Sequence, residues 1–307
     1  MSILNYGSLN IDLVYRVAAF VRPGETIAAR EFCRIPGGKG LNQSLALARA
    51  GLAVEHAGKI GSDGMFLKRL LDENQVSTRF VTCDPAVATG HAVIQVDDAG
   101  ENCIVLYGGA NRAIAGEEAA SVIAAQPAGG WLLLQNEISA MPEIIRLAAA
   151  RRMRIFLNPA PLTPDVASYP LELVDKLILN ECESAALAGL PPETGDPLPA
   201  LRKRYPRQNI LLTRGARGAC HASGNGGAVV TVPAARVEHV VDTTAAGDTF
   251  LGYFIAELAR NSGIEAALTV ASRAAAWCIG RAGAAPSIPF RRDLPVAPWD
   301  GSMHCSQ

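Results

Sequence analysis

Two aspartates in the C-terminal third of the chain, Asp242 and Asp248, lie six positions apart with only small or hydroxylated residues between them. The apolar run at residues 250–256 follows directly and is typical of a buried helix. The small residues would then lie at the start of that helix, where backbone N–H groups lack partners and can bind phosphate. We expect the helix dipole to lower the pKa of Asp248 and to keep this carboxylate ionised. A base beside an anion hole is what transfer of a phosphoryl group to an alcohol requires.

A second stretch, residues 36–43, places three glycines around Lys39 and continues to Asn42. Glycine permits a tight turn and close approach of a ligand to the backbone. We therefore expect Lys39 and Asn42 to be polar groups on a turn, followed by a helix at residues 44–50. The stretch is not a Walker A motif, because the chain has no G-x-x-x-x-G-K-[ST]. Alone, it also fits an ordinary loop.

Strand and helix signals alternate along the chain, which favours a parallel sheet covered by helices on both faces. The predicted core strands are residues 3–9, 54–60, 131–135, 154–157, 176–179 and 209–213. The predicted helices include residues 62–73, 116–125, 140–151, 182–188, 199–205 and 266–280. Four shorter strands are predicted at residues 13–17, 26–35, 91–96 and 101–107. They would form a small separate sheet, one face of which needs cover from the main domain or from a second subunit.

Polar residues follow several of the predicted core strands. They are Asn10, Asp12, Glu137, Asn158, Asn180, Glu183 and the segment 213–218. Each alone could be a helix cap or a solvated turn. Because parallel strands end at the same edge of a sheet, we expect these residues to converge on one rim, where such sheets bind ligands.

The composition excludes several classes of protein. A net charge of −1, with 19% charged residues, gives no support for a nucleic-acid or membrane-surface partner. No apolar run reaches the roughly 18 residues of a membrane span. Seven cysteines without a C-x-x-C pair favour reduced thiols in a cytoplasm, and five histidines without ligand spacing predict no structural zinc. The polar tail from Trp299 is expected to fray.

In their order and spacing, these motifs resemble those of the PfkB carbohydrate kinases over nearly the whole chain. The resemblance rests on residues 7–12, 23–26, 37–43, 158–161, 180–183, 242–250 and 283–287. Two runs, G-G-K-G-x-N and D-T-x-A-A-G-D-T-F, are the most specific, and the Ala-Ala-Gly-Asp form of the second is ribokinase-like.

The resemblance implies a ribokinase-like α/β fold: a three-layer αβα sandwich with a mostly parallel central sheet and a small β-sheet lid. It implies one domain over residues 1–307, with the lid formed by insertions at about 12–36 and 89–109. It also implies an ATP-dependent kinase for the primary hydroxyl of a small sugar, with Mg²⁺, a K⁺ activator and a homodimer paired through the lid. D-ribose is the leading substrate. The alternatives are deoxyribose, a ketohexose or a nucleoside, or, in a different class, a non-catalytic sugar- or nucleotide-binding regulator.

The same resemblance implies roles for individual residues. Asp248 would take the proton from the sugar hydroxyl, and Ala245, Ala246 and Gly247 would form the anion hole. The sugar-binding positions would be Asn10, Asp12, Gly38, Lys39, Asn42, Glu137 and Asp248. The ATP-binding positions would be Asn180, Glu183, Thr213, Gly215, Gly218, Gly247 and Ser272, with Glu183 acting on Mg²⁺ through water. The K⁺ site would comprise Asp242, Thr244, Cys278, Arg281, Gly283 and Ser287, with Cys278 contributing its carbonyl. Ser272 could instead be a packing residue, and Arg281 a charge at a helix C-terminus.

Two features depart from the family pattern. Leu41 is bulkier than the small residue usual within G-G-K-G-x-N, and it would either narrow the pocket or fill space beneath it. The glycine-rich segment 224–228 is expected near the nucleotide side. Both features could alter substrate choice.

Overall fold

The computed structural model describes residues 2–191 and 193–294, which form thirteen strands and eight α-helices. The strands are β1 (Ser2–Tyr6), β2 (Asn10–Arg16), β3 (Glu31–Gly37), β4 (Ala53–Ile60), β5 (Ser77–Cys83), β6 (Gly90–Val96), β7 (Asn102–Tyr107), β8 (Trp131–Gln135), β9 (Arg154–Asn158), β10 (Lys176–Asn180), β11 (Asn209–Thr213), β12 (Ala219–Ala222) and β13 (Val229–Val232). The helices are α1 (Lys39–Arg49), α2 (Met65–Glu73), α3 (Gly116–Ala124), α4 (Met141–Ala150), α5 (Glu181–Ala188), α6 (Leu198–Arg204), α7 (Ala246–Ala259) and α8 (Ile264–Ile279).

The main sheet has nine strands in the order β13-β12-β11-β10-β9-β8-β1-β4-β5. The strands from β11 to β5 are parallel, whereas β12 and β13 form an antiparallel edge. The chain runs outward from β1 to β4 and β5, and then returns to build the other half of the sheet from β8. The strand order therefore reverses beside β1, which is where open α/β sheets bind ligands.

Helices cover both faces of the main sheet, giving three layers. Buried side chains of α1, α2, α7 and α8 form one hydrophobic cluster, and those of α3, α4, α5 and α6 form a second. Successive residues of a strand contribute to opposite clusters: Ile3 belongs to the first and Leu4 to the second. The predicted α/β sandwich is confirmed.

A second sheet of four strands has the order β3-β2-β6-β7 and lies outside the main sheet. Strands β2 and β6 are parallel, and the two outer pairs are antiparallel. On β7, the side chains of Ile104, Val105, Leu106 and Tyr107 are at least half exposed. The predicted small separate sheet is confirmed, and it carries an exposed apolar edge.

Three predictions about elements were wrong. Lys39 and Asn42 lie within α1, which begins five residues earlier than predicted, rather than on a turn. The first strand ends at Tyr6 rather than at Leu9, and Asn10 and Asp12, expected just beyond it, lie on the next strand, β2. Strand β5 was not predicted, because its sequence alternates weakly and its side chains are mostly exposed.

Within the described residues, none of the helices combines the length and the apolar character that crossing a bilayer would demand. The tail from Trp299, predicted to fray, lies outside the described residues.

Candidate active site

Helix α7 begins at Ala246, directly after Ala245, whose backbone is left-handed with a φ of 60°. No side chain caps this helix start. The Ala246 N–H donates to the Thr243 carbonyl at 3.3 Å, whereas the Gly247 N–H has no such partner among the described residues and can face an anion. Ala245 and Gly247 both line a cavity at this point. Asp248 lies in the first turn, as predicted, and the helix is buried from Asp248 to Glu257.

Asp248 is buried, and amide groups from α1 bond both of its oxygens. Asn42 donates from Nδ2 to Oδ2 at 3.2 Å, and Gln43 donates from Nε2 to Oδ1 at 2.8 Å. Burial raises the pKa of Asp248, and the charge of Lys39 and the two amide hydrogen bonds oppose this rise. The predicted lowering of this pKa is wrong, because loss of hydration outweighs the helix start and the nearby cation.

Glu137 joins the end of β8 to the start of α1. Its Oε2 atom accepts a hydrogen bond from the Lys39 backbone N–H at 2.9 Å and another from the hydroxyl of Ser8. Burial raises the pKa of Glu137, against the effect of Ser8 and Lys39. The pKa of Lys39 is itself raised, mainly by Asp248, so the amine is a stable cation beside buried carboxylates. Gly38 precedes it with a φ of 93°, which a side chain would strain.

Asn10 and Asp12, on β2, bring the second sheet to the same place. Asn111 donates from Nδ2 to Oδ1 of Asn10 at 2.7 Å, which fixes the orientation of the Asn10 amide. Burial, together with the negative charge of Glu137, raises the pKa of Asp12 to about 6. A Cβ atom on Gly37 would lie 2.2 Å from the Asp12 carboxylate, so a larger residue at this position would have to displace that carboxylate.

Two cavities meet at the start of α7. The smaller, of about 210 Å³, is lined by Lys39, Asn158, Asn180, Glu183, Ala245, Gly247 and Asp248 among others. The larger, of about 730 Å³, is lined by Thr213, Gly215, Gly218, Gly247 and Ser272 among others. Thr213 and Gly247 line both. Of the residues predicted to converge on one rim, Asn158, Asn180, Glu183 and Thr213 line the same cavity, whereas Asn10, Asp12 and Glu137 line neither of the two.

Asn180 and Glu183 form a reciprocal cap at the start of α5. The Asn180 side chain accepts from the Glu183 N–H at 2.8 Å, and Glu183 Oε2 accepts from the Asn180 N–H at 2.9 Å. Burial raises the pKa of Glu183. The helix-cap interpretation of this pair is thus correct, and the same carboxylate also faces the smaller cavity.

The model of the pfkB family carbohydrate kinases matches residues 2–291. The chain belongs to this family. It is therefore a phosphotransferase that uses ATP.

Relatives and solved structures agree with the family assignment. The ribokinase of Bacillus subtilis is 34% identical over 292 residues, covering 94% of this chain and 96% of the relative. The deoxyribokinase of Salmonella typhi is 30% identical over 298 residues, covering 94% of this chain and 96% of the relative. The ribokinase of Cryptococcus neoformans in complex with ADP superposes with a TM-score of 0.83 at 33% identity, covering 94% and 97%. Arabidopsis thaliana ribokinase with ribose and ATP has a TM-score of 0.84 at 29% identity, covering 94% and 96%.

Residues 242–244 form a turn that Asp242 holds in place. Its Oδ1 atom accepts from the N–H and the hydroxyl of Thr244, at 2.8 and 2.6 Å, and its Oδ2 atom accepts from the Gly283 N–H at 2.9 Å. These hydrogen bonds outweigh partial burial and lower the pKa of Asp242.

Of the other members of the predicted cation site, Cys278 contacts this turn directly, and Ser287 and Arg281 contact Cys278. The Cys278 thiol contacts the Ser287 hydroxyl at 2.9 Å and the Thr244 carbonyl at 3.5 Å, so the thiol joins the cluster. The Cys278 carbonyl accepts from the Arg281 N–H at 3.0 Å. The Arg281 guanidinium stacks on Trp277, 3.7 Å from the ring centroid, and donates a hydrogen bond to the backbone carbonyl of Trp277.

The two departures from the family pattern lie away from the reacting groups. Leu41 is fully buried in the hydrophobic cluster beneath α7, so it fills space and does not line either cavity. The segment 224–228 joins β12 to β13, and Asn225 bonds the carbonyl of Pro206 before β11 begins. It therefore lies at the opposite end of β11 from Thr213, and its predicted place near the nucleotide side is wrong.

The structure also adds residues that the sequence did not single out. Gln43, Ser8 and Asn111 each bond a predicted site residue, and all three are buried. Gln43 and Ser8 belong to the motifs themselves, so their proximity to the site was a usable signal. Asn111 had no such signal, because it lies in a short turn after β7.

Proposed function

We propose that this enzyme transfers the γ-phosphoryl group of ATP to the primary hydroxyl of D-ribose, giving ribose 5-phosphate and ADP. The observation that supports this most strongly is the position of Asp248. Its carboxylate lies at the uncapped start of α7, where the two cavities meet, and is held there by Asn42 and Gln43. The choice of D-ribose as the substrate rests on the relatives, because ribokinases match this chain over nearly its full length.

Asp248 would act as the general base. A carboxylate whose pKa lies above its ordinary value is a stronger base, and the Lys39 cation limits how far protonation competes at neutral pH. The hydroxyl oxygen would form a bond to the γ-phosphorus while the bond from that phosphorus to the bridging oxygen of ADP breaks. The hydroxyl proton would pass to Asp248.

The backbone N–H groups of Ala245, Ala246 and Gly247 would receive the charge that develops on the transferring phosphoryl group. Such fixed donors contribute through their placement, which stabilises the charge of the transition state, because the protein forms no covalent bond in this phosphoryl transfer. The left-handed backbone at Ala245 turns the chain into α7 and so sets their directions.

The sugar would lie between the lid and the start of α1, in contact with Asn10, Asp12, Gly38, Lys39, Asn42, Glu137 and Asp248. An unmet hydrogen bond supports this position. Asn42 Oδ1 is buried and has no hydrogen-bond partner among the described residues, and a sugar hydroxyl would supply one. Burial raises the pKa values of Asp12 and Glu137, and sugar hydroxyls would supply hydrogen bonds to these carboxylates in place of water.

ATP would occupy the larger cavity, with Thr213, Gly215, Gly218, Gly247 and Ser272 on its walls and its phosphates toward Asn180 and Glu183. Glu183 fits a role toward Mg²⁺, because it lines the smaller cavity and partial burial raises the pKa of its carboxylate. Mg²⁺ typically keeps several waters and binds through few carboxylates plus substrate phosphates. When bound, it would neutralise phosphate charge.

The turn at Asp242 fits a monovalent cation such as K⁺. Its donors are an ionised carboxylate together with the hydroxyl and carbonyl oxygens of Thr244, Cys278, Arg281, Gly283 and Ser287, which suit a hard cation. A bound cation would add rigidity to the segment that leads into the anion hole.

The exposed apolar edge of the lid, on β7, supports a homodimer paired through this sheet, because an uncovered apolar strand edge otherwise invites aggregation. The described chain would work as one domain, with the lid closing over the sugar. The six cysteines in the described part of the chain are free and dispersed, which supports a reducing cytoplasm.

The test is a coupled assay of ADP release across pentoses, 2-deoxypentoses, ketohexoses and nucleosides. We expect the highest kcat/KM with D-ribose. A preference for deoxyribose would favour the second candidate, which the deoxyribokinase relative supports. Binding of sugar and ATP without ADP release from any substrate would favour a regulator and overturn the proposal.

A further inference from the structure

A chain of buried amide side chains leads away from Asp248 through the centre of the main sheet. Gln43 donates to Asp248, and Gln43 Oε1 accepts from Gln135 Nε2 at 2.6 Å. Gln135 Nε2 also donates to Asn5 Oδ1 at 2.9 Å. Asn5 Nδ2 in turn donates to the Gly40 carbonyl at 2.8 Å and to the Ser44 hydroxyl at 2.7 Å. Gln43, Gln135 and Asn5 have no exposed surface.

The direction of each hydrogen bond is fixed by its neighbours. An ionised carboxylate can only accept, so the Nε2 atom of Gln43 must face Asp248 and its Oε1 atom must face Gln135. Gln135 must then present Nε2 to Gln43. Its Oε1 atom therefore lies against Gly7, and a Cβ atom added to Gly7 would be 2.2 Å from this oxygen. Neither amide can rotate by half a turn without placing like groups together. The carboxylate orientation is therefore set from the middle of the sheet.

Resting on the proposed function, we propose that Gln43 is a positioning residue for the reaction, anchored by Gln135. Through this pair, the first strands of the main sheet hold the Asp248 carboxylate in the orientation in which it can take the hydroxyl proton. Gln43 lines neither of the two cavities. Its effect is on the reacting carboxylate, so it should act on kcat rather than on ATP binding.

The Gln43→Leu variant removes the donor to Asp248 at nearly constant volume. We expect kcat with ATP and D-ribose to fall on the order of 100-fold, as for small misplacements of a catalytic group, while the KM for ATP stays within about threefold. Gln126→Leu is the matched control. Gln126 is also a buried glutamine that donates to a carboxylate, that of Glu55 at 3.2 Å, on α3's side of the sheet and away from the cavities. Its kcat should equal that of the wild type.

The Gln43→Glu variant keeps the shape and still accepts from Gln135, so it serves if Gln43→Leu folds poorly. It places a second carboxyl against Asp248 Oδ1, and the two would share a proton. The acidic limb of the kcat–pH profile should move up by about one pH unit or more. Other charged groups that act on Asp248 are Lys39 on α1, Glu137 after β8 and Glu183 on α5, and the variant leaves all three unchanged. A role in packing alone would lower the melting temperature without moving this limb.

A double-mutant cycle tests the anchor. Gln135→Leu should lower kcat less than Gln43→Leu does, and it should have little further effect in the Gln43→Leu background, because its action passes through Gln43. Additive losses would overturn the anchoring role, and a kcat within about threefold of wild type in both Gln43 variants would overturn the proposal. Wild-type turnover with D-ribose is measured first. Its absence contradicts the proposed function, whereas normal wild-type turnover with unaffected variants contradicts this inference alone.

Discussion

Replacing Lys176 by methionine should remove a rise in stability between pH 7 and pH 9. Lys176 begins β10 and is 6% exposed, and its amine lies 5.5 Å from the ring centroid of Phe254 on α7, the helix that carries Asp248. Its hydrogen-bond partner is Nε2 of the buried His221. Burial, together with the charge of Arg154, lowers the pKa of Lys176 from 10.5 to about 7.

The sign and size follow from proton linkage. Between pH 7 and pH 9 the unfolded chain keeps Lys176 protonated, whereas the folded protein releases that proton. The free energy of unfolding therefore rises with pH in this window, by about 2 kcal/mol in total. His221 contributes below this window, because its pKa is lowered to about 4 by burial and by Lys176. The buried thiols of Cys220 and Cys278 have raised pKa values and act with the opposite sign, but equally in both proteins.

The assay is urea unfolding at pH 7, 8 and 9, followed by fluorescence and circular dichroism so that coincident transitions verify two-state behaviour. Lys176→Met should lose about 2 kcal/mol of the wild-type rise from pH 7 to pH 9. The exposed Lys203→Met is the control and should keep the rise. A Lys176→Met protein whose unfolding free energy changes with pH as the wild type does would refute a neutral, buried Lys176.

Three further predictions concern the site and the lid. Asp12→Asn should raise the KM for D-ribose about tenfold or more with little change in kcat, because a carboxylate accepts hydrogen bonds from sugar hydroxyls more strongly than an amide does. In the wild type, kcat/KM for D-ribose should fall as the pH drops through about 6, where Asp12 becomes protonated. An unchanged sugar KM would exclude Asp12 from the sugar site. K⁺ added to a Li⁺ background should raise kcat, and Asp242→Asn should abolish that response; equal rates in the two salts would contradict the cation site. Val105→Glu, a change at a side chain that is 65% exposed, should convert a lid-paired dimer into a monomer in analytical ultracentrifugation, whereas a wild-type monomer would contradict the pairing.

The sequence predicted the parts of the fold that local patterns encode. The core strands at residues 131–135 and 209–213 match β8 and β11 end to end, because short apolar runs between turn signals leave little freedom. Strand β5 was missed since, at the sheet edge, its sequence need not be apolar. Lys39 was placed on a turn because three glycines surround it, yet α1, which packs against α7, already begins at Lys39 and includes Gly40.

The sequence predicted that several candidate site residues lie together, but it did not predict their electrostatics. The motifs named Asp248, Lys39 and Asn42, and the structure brings them together. The pKa direction at Asp248 was predicted incorrectly, because the helix dipole is visible in a sequence and the degree of burial is not. The link from Gln43 to Gln135 spans 92 positions of the chain and depends on strand order, so no local pattern could reveal it.

The most direct measurement is ADP release from ATP and D-ribose by the Asp248→Asn variant. Asparagine keeps the size of the side chain but cannot accept the hydroxyl proton. The rate should fall by about 10²–10⁴-fold, the usual contribution of a general base. Calorimetric titration should show that the variant still binds ATP and D-ribose near wild-type affinity. Turnover within a few-fold of the wild type would contradict the role of Asp248 as the base.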